Sequence, residues 1–209
     1  MRILVFGASG GTGREVVRQA LERRHDVTAF VREASRVSTE HERLRVVQGN
    51  VRDALAVRSA VQGHDAVVST LGVGVALKHD QTVIDGVRHI VAAMQVTGVR
   101  RLIYQSFIGV SESRAAVGFV LRYLAPIALR EEIADHEAKE AVVKNSGTDW
   151  TIVRPPKLTN GAASGRYRVG EEIRSWMPVP MLSRVDVAGF IVRELEQPAY
   201  VHKVARLLR

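Results

Sequence analysis

The chain has 209 residues, of which 46% are hydrophobic and 25% charged, an ordinary balance for a globular protein with one sizeable core. The formal net charge is +8, but aromatic residues make up only 5% and no helix-turn-helix or zinc-ligand pattern occurs, which argues against nucleic-acid binding. No apolar run approaches the roughly 20 residues of a membrane span, and there is no cysteine for disulfides or thiolate chemistry. Because the first predicted strand follows Met1 at once, we expect no signal peptide and a cytoplasmic location. The lack of a long apolar run and of a metal-ligand pattern predicts no membrane partner and no metal.

A glycine-rich turn near the start carries the most informative pattern. An apolar run at residues 3–6 is followed by glycines at positions 7, 10, 11 and 13 and then by a helix-permissive stretch. Such glycines let the backbone approach a phosphate, and the next helix then offers its unpaired N–H groups to the anion. The turn predicts the pyrophosphate site of a dinucleotide, although similar turns occur where no nucleotide binds. The residues of this predicted site are Gly7, Ser9, Gly10, Gly11, Thr12 and Gly13.

Strands and helices alternate along the rest of the chain. This alternation is typical of a doubly wound, Rossmann-type parallel α/β sheet with helices on both faces. We predict one NAD(P)-binding domain over residues 1–209, with a small C-terminal substrate-covering region. The segments expected to cover the substrate are 107–128 and 155–183. The expected strands are at residues 25–31, 44–49, 65–72, 101–106 and 149–154, with an outlying strand at 165–169 and an edge strand at 204–208. The later helices are expected at 54–61, 81–97 and 129–146, and a last helix is expected to begin after Ser183, which is its predicted N-cap.

Arg32 follows the second predicted strand, nineteen residues after Gly13. NAD enzymes usually place an acid at about this distance to hold the ribose 2′-hydroxyl, whereas a cation suits the 2′-phosphate of NADP. A guanidinium can pair with that phosphate bidentately, and Ser35 and Arg36 are close enough in sequence to add donors. The pattern favours NADPH as the cofactor. The alternative is a solvated arginine at a strand end.

Two further strand ends complete the predicted cofactor site. Asn50 could bond the edge of the adenine and Val51 could cover its face, but an asparagine before a helix is equally often a cap. We expect the residues after the fourth strand to lie along the nicotinamide ribose, because ligands of parallel sheets bind beyond the strand carboxyl ends. These residues are Thr70, Leu71 and Gly72. His89 on the following helix is expected to be solvated.

Ser106 ends the fifth predicted strand, where short-chain dehydrogenases keep their active-site hydroxyl. Those enzymes protonate the substrate through a Tyr-x-x-x-Lys pair, in which the lysine lowers the pKa of the tyrosine. None of the four tyrosines in this chain has a lysine four residues later. The usual proton relay is therefore absent. A serine hydroxyl that only bonds backbone groups is the alternative interpretation of Ser106.

The glycine turn, Arg32, Thr70 and Ser106 make the chain resemble the atypical short-chain dehydrogenases of the NmrA-like, NAD(P)H-binding family. Within that family it is most similar to the flavin reductases of the biliverdin reductase B type, through residues 31–36, 86–94, 105–107, 135–136 and 154–156. The resemblance implies that Ser106 and His136 face the acceptor. It also implies that NADPH is held by Gly10, Thr12, Gly13, Arg32, Asn50, Val51, Thr70 and Leu71.

Lys157 departs from this family pattern, since the flavin reductases carry a histidine after their paired prolines. A lysine can hold an anionic group, but it is a poor proton donor at neutral pH. Biliverdin is therefore a doubtful acceptor for this chain.

The absent relay is compatible with reduction of a flat acceptor, because hydride delivery to a flavin or quinone can draw its proton from water. We expect an NADPH-dependent oxidoreductase with a small-molecule acceptor such as FMN, riboflavin or a quinone. Ser106, His136 and Lys157 are its candidate catalytic residues, and Trp176 or Met177 could contact the acceptor. A non-catalytic NADP(H)-binding redox sensor of the NmrA-like type fits the absent relay equally. The oligomeric state and any protein partner stay open.

Overall fold

We describe a computed structural model of the chain over residues 1–72, 81–116 and 130–209. Residues 117–128 of the predicted covering segment and the predicted helix start at residue 129 lie outside the described residues. The strands are β1 (Arg2–Phe6), β2 (Asp26–Val31), β3 (Leu44–Gln48), β4 (Ala66–Ser69), β5 (Arg101–Gln105), β6 (Asp149–Arg154), β7 (Lys157–Thr159), β8 (Arg168–Gly170), β9 (Met181–Ser183) and β10 (Lys203–Leu208). The helices are α1 (Gly11–Glu22), α2 (Ala54–Val61), α3 (Gln81–Thr97), α4 (Arg130–Lys144) and α5 (Arg184–Glu196), with 3₁₀ turns at Ala34–Arg36 and Ser111–Ala116. Among these helices, none has the length and apolarity needed to cross a membrane.

Eight strands form one sheet in the order β3-β2-β1-β4-β5-β6-β10-β8. Neighbouring strands are parallel except for β8, which pairs antiparallel with β10. The predicted doubly wound parallel sheet is therefore confirmed. The chain builds outward from β1 in one direction to β3 and then in the other direction from β4. The carboxyl ends of β1 and β4 thus flank the topological switch point, where ligands of such sheets bind.

Helices cover both faces of the sheet. Ile3 and Val5 pack in a core with α1 and α5, whereas Leu4 and Phe6 face a second core with α2, α3 and α4. Burial on both faces explains why this strand is a continuous apolar run rather than an alternating one.

The last strand is not the edge strand that its sequence predicts. β10 lies inside the sheet, parallel to β6 on one side and paired with β8 on the other. The physical reason is that Ala205, Leu207 and Leu208 are fully buried, and the unpaired backbone edge of such an apolar strand would be left exposed without a neighbouring strand. The short outlying strand expected at 165–169 supplies that cover at Arg168–Gly170.

A second, two-stranded parallel sheet joins β7 to β9 and organises the segment 155–183. The helix α5 follows β9 directly and is N-capped by Ser183, whose side chain accepts from the Asp186 N–H, so the predicted cap is confirmed. The Asp186 carboxylate accepts hydrogen bonds from the Ser183 hydroxyl and from the backbone N–H groups of Ser164 and Gly165. The end of the segment is thereby fixed to the start of α5.

Candidate active site

The glycine turn has a backbone geometry that excludes side chains at two of its positions. Gly7 adopts φ +78°, and a Cβ there would lie 2.8 Å from the carbonyl oxygen of Thr70. A Cβ on Gly13 would overlap the carbonyl oxygen of Gly7. The N–H of Gly10 donates to that same oxygen at 2.9 Å, which closes the turn. Helix α1 therefore begins directly against the end of β1.

The N-terminus of α1 is left without a side-chain cap. Gly10 is its N-cap residue, no side chain among the described residues caps this end of the helix, and the first turn carries no acid. In contrast, Asp53 caps α2 and Ser183 caps α5. The first N–H groups of a helix need partners, and an anion can supply them. Gly10 and Gly11 are also exposed, so this end of α1 fits a phosphate group.

Buried polar atoms at two neighbouring strand ends also fit a polar ligand. Among the described residues, five buried side-chain atoms have no hydrogen-bond partner, and two of them are Ser69 Oγ and Gln105 Oε1. These residues end β4 and β5, beside the switch point. Buried polar groups are normally hydrogen-bonded, so an unpaired donor or acceptor at a ligand edge is a place for ligand atoms.

The three predicted ribose residues do not behave alike. The Thr70 hydroxyl donates to the carbonyl oxygens of Phe6 at 3.1 Å and Gly7 at 3.3 Å, so it braces the glycine turn. Leu71 is half-buried against the core under α3, and Gly72 is exposed.

The loop after β3 is held by its neighbours and not by Asn50 as a helix cap, which was one of the two interpretations that the sequence left open. Asp53 caps α2 by accepting the N–H groups of two residues of its first turn, while Asn50 Oδ1 accepts the N–H of Arg52 at 3.0 Å. The cap interpretation of Asn50 is therefore wrong. His89 Nδ1 lies 2.8 Å from the carbonyl oxygen of Val51 and fixes it, so the expectation of a solvated His89 is also wrong. The signal lay in distant contacts that spacing does not reveal.

Exposed arginines surround the 3₁₀ turn that follows β2. Arg36 pairs with Glu33 at 3.0 Å, and its carbonyl oxygen accepts from Arg14 Nη2 at 3.3 Å. Arg32 forms no ion pair within residues 1–72, 81–116 and 130–209, and Ser35 is exposed. The sequence interpretation missed Arg14, although its place in the first turns of α1, directly after Gly13, was a usable signal.

Ser106 and His136 come together although 30 positions separate them. Ser106 is buried, and its Oγ lies 3.4 Å from Nδ1 of His136, at the long end of the hydrogen-bond range. The ring of Phe107 meets the imidazole edge-on, with centroids 5.1 Å apart. Burial, helped by the charge of Lys139, lowers the pKa of His136 to about 3, against an opposing effect of Asp135. The imidazole is thus neutral at physiological pH.

Lys157 does not join this pair through any contact of its side chain. It is the first residue of β7, and its backbone N–H donates to the carbonyl oxygen of Pro180 at 3.2 Å. Its exposed side chain forms no hydrogen bond or ion pair with the part of the chain that the structure describes. Trp176 and Met177 are exposed as well, the former by 94%.

A buried ion pair that the sequence interpretation missed supports the Ser106–His136 pair. Arg154, with no exposed surface, donates to both carboxylate oxygens of Glu140, at 2.9 and 2.5 Å, and to Glu112 at 2.6 Å. Glu140 lies one turn after His136 on α4, so Arg154 fixes the helix that carries the imidazole. An arginine at the end of an apolar strand was the available signal.

Comparison with known proteins agrees with this geometry. A protein-family model described as NAD(P)H-binding matches residues 7–198. The chain is 25% identical over 203 residues to an uncharacterized sugar epimerase, YhfK, of Bacillus subtilis, covering 94% of this chain and 89% of that one. It is 33% identical over 162 residues to the (4-alkanoyl-5-oxo-2,5-dihydrofuran-3-yl)methyl phosphate reductase of Streptomyces griseus, covering 78% of this chain but only 50% of the reductase.

A solved structure shares the fold over nearly the whole chain. It is a short-chain dehydrogenase/reductase from Veillonella parvula, determined in complex with NADP, with a TM-score of 0.83 and 19% identity. The alignment covers 99% of this chain and 93% of that one. The predicted NAD(P)H-binding family is confirmed, and the chain belongs to the NAD(P)H-binding proteins with a Rossmann-type fold.

Proposed function

We propose that this protein is an NADPH-dependent oxidoreductase that transfers hydride to a flavin, a quinone or a similar flat acceptor. The observation that carries the proposal is that two features lie together at the carboxyl ends of the parallel strands. One is the uncapped N-terminus of α1, and the other is the neutral Ser106–His136 pair after β5. The reductase among the relatives and the NADP complex among the structural neighbours support the same class of reaction.

The preference for NADPH rests on the cations beyond β2. Arg32 has no carboxylate partner within the described residues, whereas Arg36 is neutralised by Glu33 at 3.0 Å. Arg14 reaches the same 3₁₀ turn from α1. A 2′-phosphate bound there would gain charge-assisted hydrogen bonds that the 2′-hydroxyl of NADH cannot make as strongly.

The Ser106–His136 pair would serve as a hydrogen-bonding group rather than as a proton store. Bound NADPH supplies the hydride. Because the pKa of His136 is lowered to about 3, its imidazole is neutral at neutral pH, and its remaining N–H can donate a hydrogen bond but is too weakly acidic to give up its proton. With Nδ1 protonated, the neutral ring donates to Ser106 Oγ and leaves the Ser106 O–H directed to the acceptor. Water then supplies the proton, as the absent Tyr-x-x-x-Lys pair requires.

Lys157 could select acceptors by charge. Its exposed ammonium follows the end of β6. The chain before it is fixed by the hydrogen bond from Ile108 N–H to the carbonyl oxygen of Pro155 at 3.0 Å, and the chain after it by the pairing of β7 with β9. A phosphate-bearing acceptor such as FMN would gain from this cation, whereas riboflavin would not.

The test is NADPH oxidation followed by stopped flow with FMN, riboflavin and a panel of quinones. Replacing Ser106 by Ala should lower the hydride-transfer rate by about tenfold or more, because one hydrogen bond to the developing charge is lost. Lys157→Ala should raise KM for FMN and leave riboflavin unchanged. Ser59→Ala, at an exposed position of α2, is the matched control and should change neither.

Tight NADPH binding with no oxidation by any acceptor would contradict the proposed reaction. That result would favour the alternative role, a redox sensor that binds NADP(H) without turning it over. The cytoplasmic location expected from the sequence stays a prediction.

A further inference from the structure

Arg184 lies against the glycine turn although 173 positions separate it from Gly11 in the sequence. It is the first residue of α5, and its side chain crosses to the N-terminus of α1. A Cβ on Gly11 would lie 2.6 Å from both Cδ and Nε of Arg184, so the missing side chain leaves room for the arginine. Arg184 Nη1 donates to Asn160 Oδ1 at 2.6 Å.

Packing between α1 and α5 fixes the position of this arginine. Gln19 Nε2 on α1 donates to the carbonyl oxygen of Val185 at 2.9 Å, and Arg23 pairs with Glu196 at 2.6 Å near the other end of both helices. The Ser183 cap holds the start of α5. Arg184 is half-buried as a residue, and its hydrogen bond to Asn160 lies on the exposed side.

The charge at this point is unbalanced. Arg184 forms no ion pair with any residue in the described ranges, and Asn160 is a neutral partner that occupies one of its five N–H donors. The neighbouring helix N-terminus also carries a partial positive charge, and α1 has no acid in its first turn. Two positive groups placed side by side, both with unused donors, favour an anion between them.

We propose that Arg184 binds the diphosphate of the dinucleotide and, through Asn160, ties the segment 155–183 to the cofactor. This inference rests on the proposed function, since it assumes that a dinucleotide occupies the glycine turn. Asn160 follows β7 directly, so the contact connects the segment expected to cover the acceptor with the phosphate site.

The binding test compares Arg184→Gln with Arg193→Gln, which removes the same charge from an exposed position near the other end of α5. Affinities are measured by calorimetry for NADPH, ADP-ribose and adenosine 2′-monophosphate, which lacks the diphosphate. Arg184→Gln should weaken NADPH and ADP-ribose by about ten- to a hundredfold and leave adenosine 2′-monophosphate unchanged. Arg193→Gln should change none of the three.

Equal effects of the two variants on NADPH would overturn the inference and leave the proposed function standing. Failure of the unaltered protein to bind NADPH would instead overturn the proposed function. Gly11→Ala provides a second variant, since its Cβ needs the space of the Arg184 side chain. The double variant, Gly11→Ala with Arg184→Gln, should bind NADPH no more weakly than whichever single variant binds it less tightly. Additive losses of affinity would show independent roles and contradict the inference.

The link between Arg184 and the segment 155–183 through Asn160 can be measured by proteolysis, which does not depend on activity. Arg166, Arg168 and Arg174 are exposed trypsin sites within the segment. NADPH should slow cleavage there in the unaltered protein, and this protection should be lost in Asn160→Ala measured at saturating NADPH. Protection that survives unchanged in Asn160→Ala would refute the tie.

Discussion

The glycine turn and the Ser106–His136 pair lie at the same edge of the sheet but are built in different ways. The turn is one short stretch of chain, and its shape depends on the backbone of Gly7 and Gly13. The Ser106–His136 pair joins the residue that follows β5 to a residue of α4, the helix that the buried Arg154–Glu140 ion pair fixes. Cofactor binding is therefore sensitive to added atoms in the turn, whereas the acceptor side is sensitive to lost partners elsewhere.

The largest expected effect comes from a change in the glycine turn, which should impair NADPH binding. In Gly13→Ala the new Cβ overlaps the carbonyl oxygen of Gly7, so α1 must move away from β1. We expect NADPH affinity to fall by more than about a hundredfold and unfolding to become easier by about 1–3 kcal/mol. Calorimetric titration and urea unfolding measure the two effects. Gly161→Ala has an open position and serves as control; equal losses there would contradict the steric argument.

A change behind the Ser106–His136 pair should leave the glycine turn unaffected. Glu140→Gln removes the buried one of the two carboxylates that pair with the Arg154 guanidinium, and we expect a loss of about 3 kcal/mol in unfolding free energy. NADPH affinity of the folded protein should stay the same. Lys144→Gln, which breaks only the more exposed contact of 3.4 Å to Glu140, should cost less than about 1 kcal/mol. A large loss of NADPH affinity in Glu140→Gln would show that the regions are not separable.

A smaller effect should discriminate between cofactors. Arg32→Ala is expected to weaken NADPH by about ten- to a hundredfold, the value of a charge-assisted hydrogen bond, with little change for NADH. Arg36→Ala should have the weaker effect, because Glu33 already neutralises that guanidinium. Affinities for both cofactors are compared by fluorescence titration. Equal losses of NADPH and NADH would refute the 2′-phosphate role of Arg32.

The smallest expected effect concerns pH and the acceptor side. The pKa of His136 falls from its ordinary 6.5 to about 3 on folding, so the unfolded chain binds the extra proton between these values. The free energy of unfolding should therefore decline as pH falls below 6.5. Between pH 7.5 and 5.0, the unaltered protein should lose about 1–2 kcal/mol more than His136→Asn in urea unfolding. Identical pH profiles would mean that His136 is not held neutral.

The sequence predicts the sheet well because its signals are local. Continuous apolar runs identify buried parallel strands, and the glycine spacing identifies the turn, since only residues without a Cβ fit at positions 7 and 13. Helix α2 begins and ends where its sequence predicts, at Ala54 and Val61.

Contacts between distant parts of the chain were not predictable in the same way. Arg184 reaches the glycine turn only because α5 packs beside α1, and His89 meets Val51 only because α3 lies over the β3 loop. Arg154 stands before paired prolines in the sequence, but its partners on α4 and in the 3₁₀ turn decide its role. Periodicity reports which face of an element is buried, but not which polar side chains meet there.

The short strand β8 has a consequence for how copies of this protein meet. It covers β10, whose Ala205, Leu207 and Leu208 are completely buried, and it places the exposed side chain of Arg168 on the outside. An uncovered apolar strand is a template for pairing with another chain, whereas a three-residue edge strand flanked by a cation is a poor one. At its β8 edge the sheet is therefore a poor template for pairing with another chain.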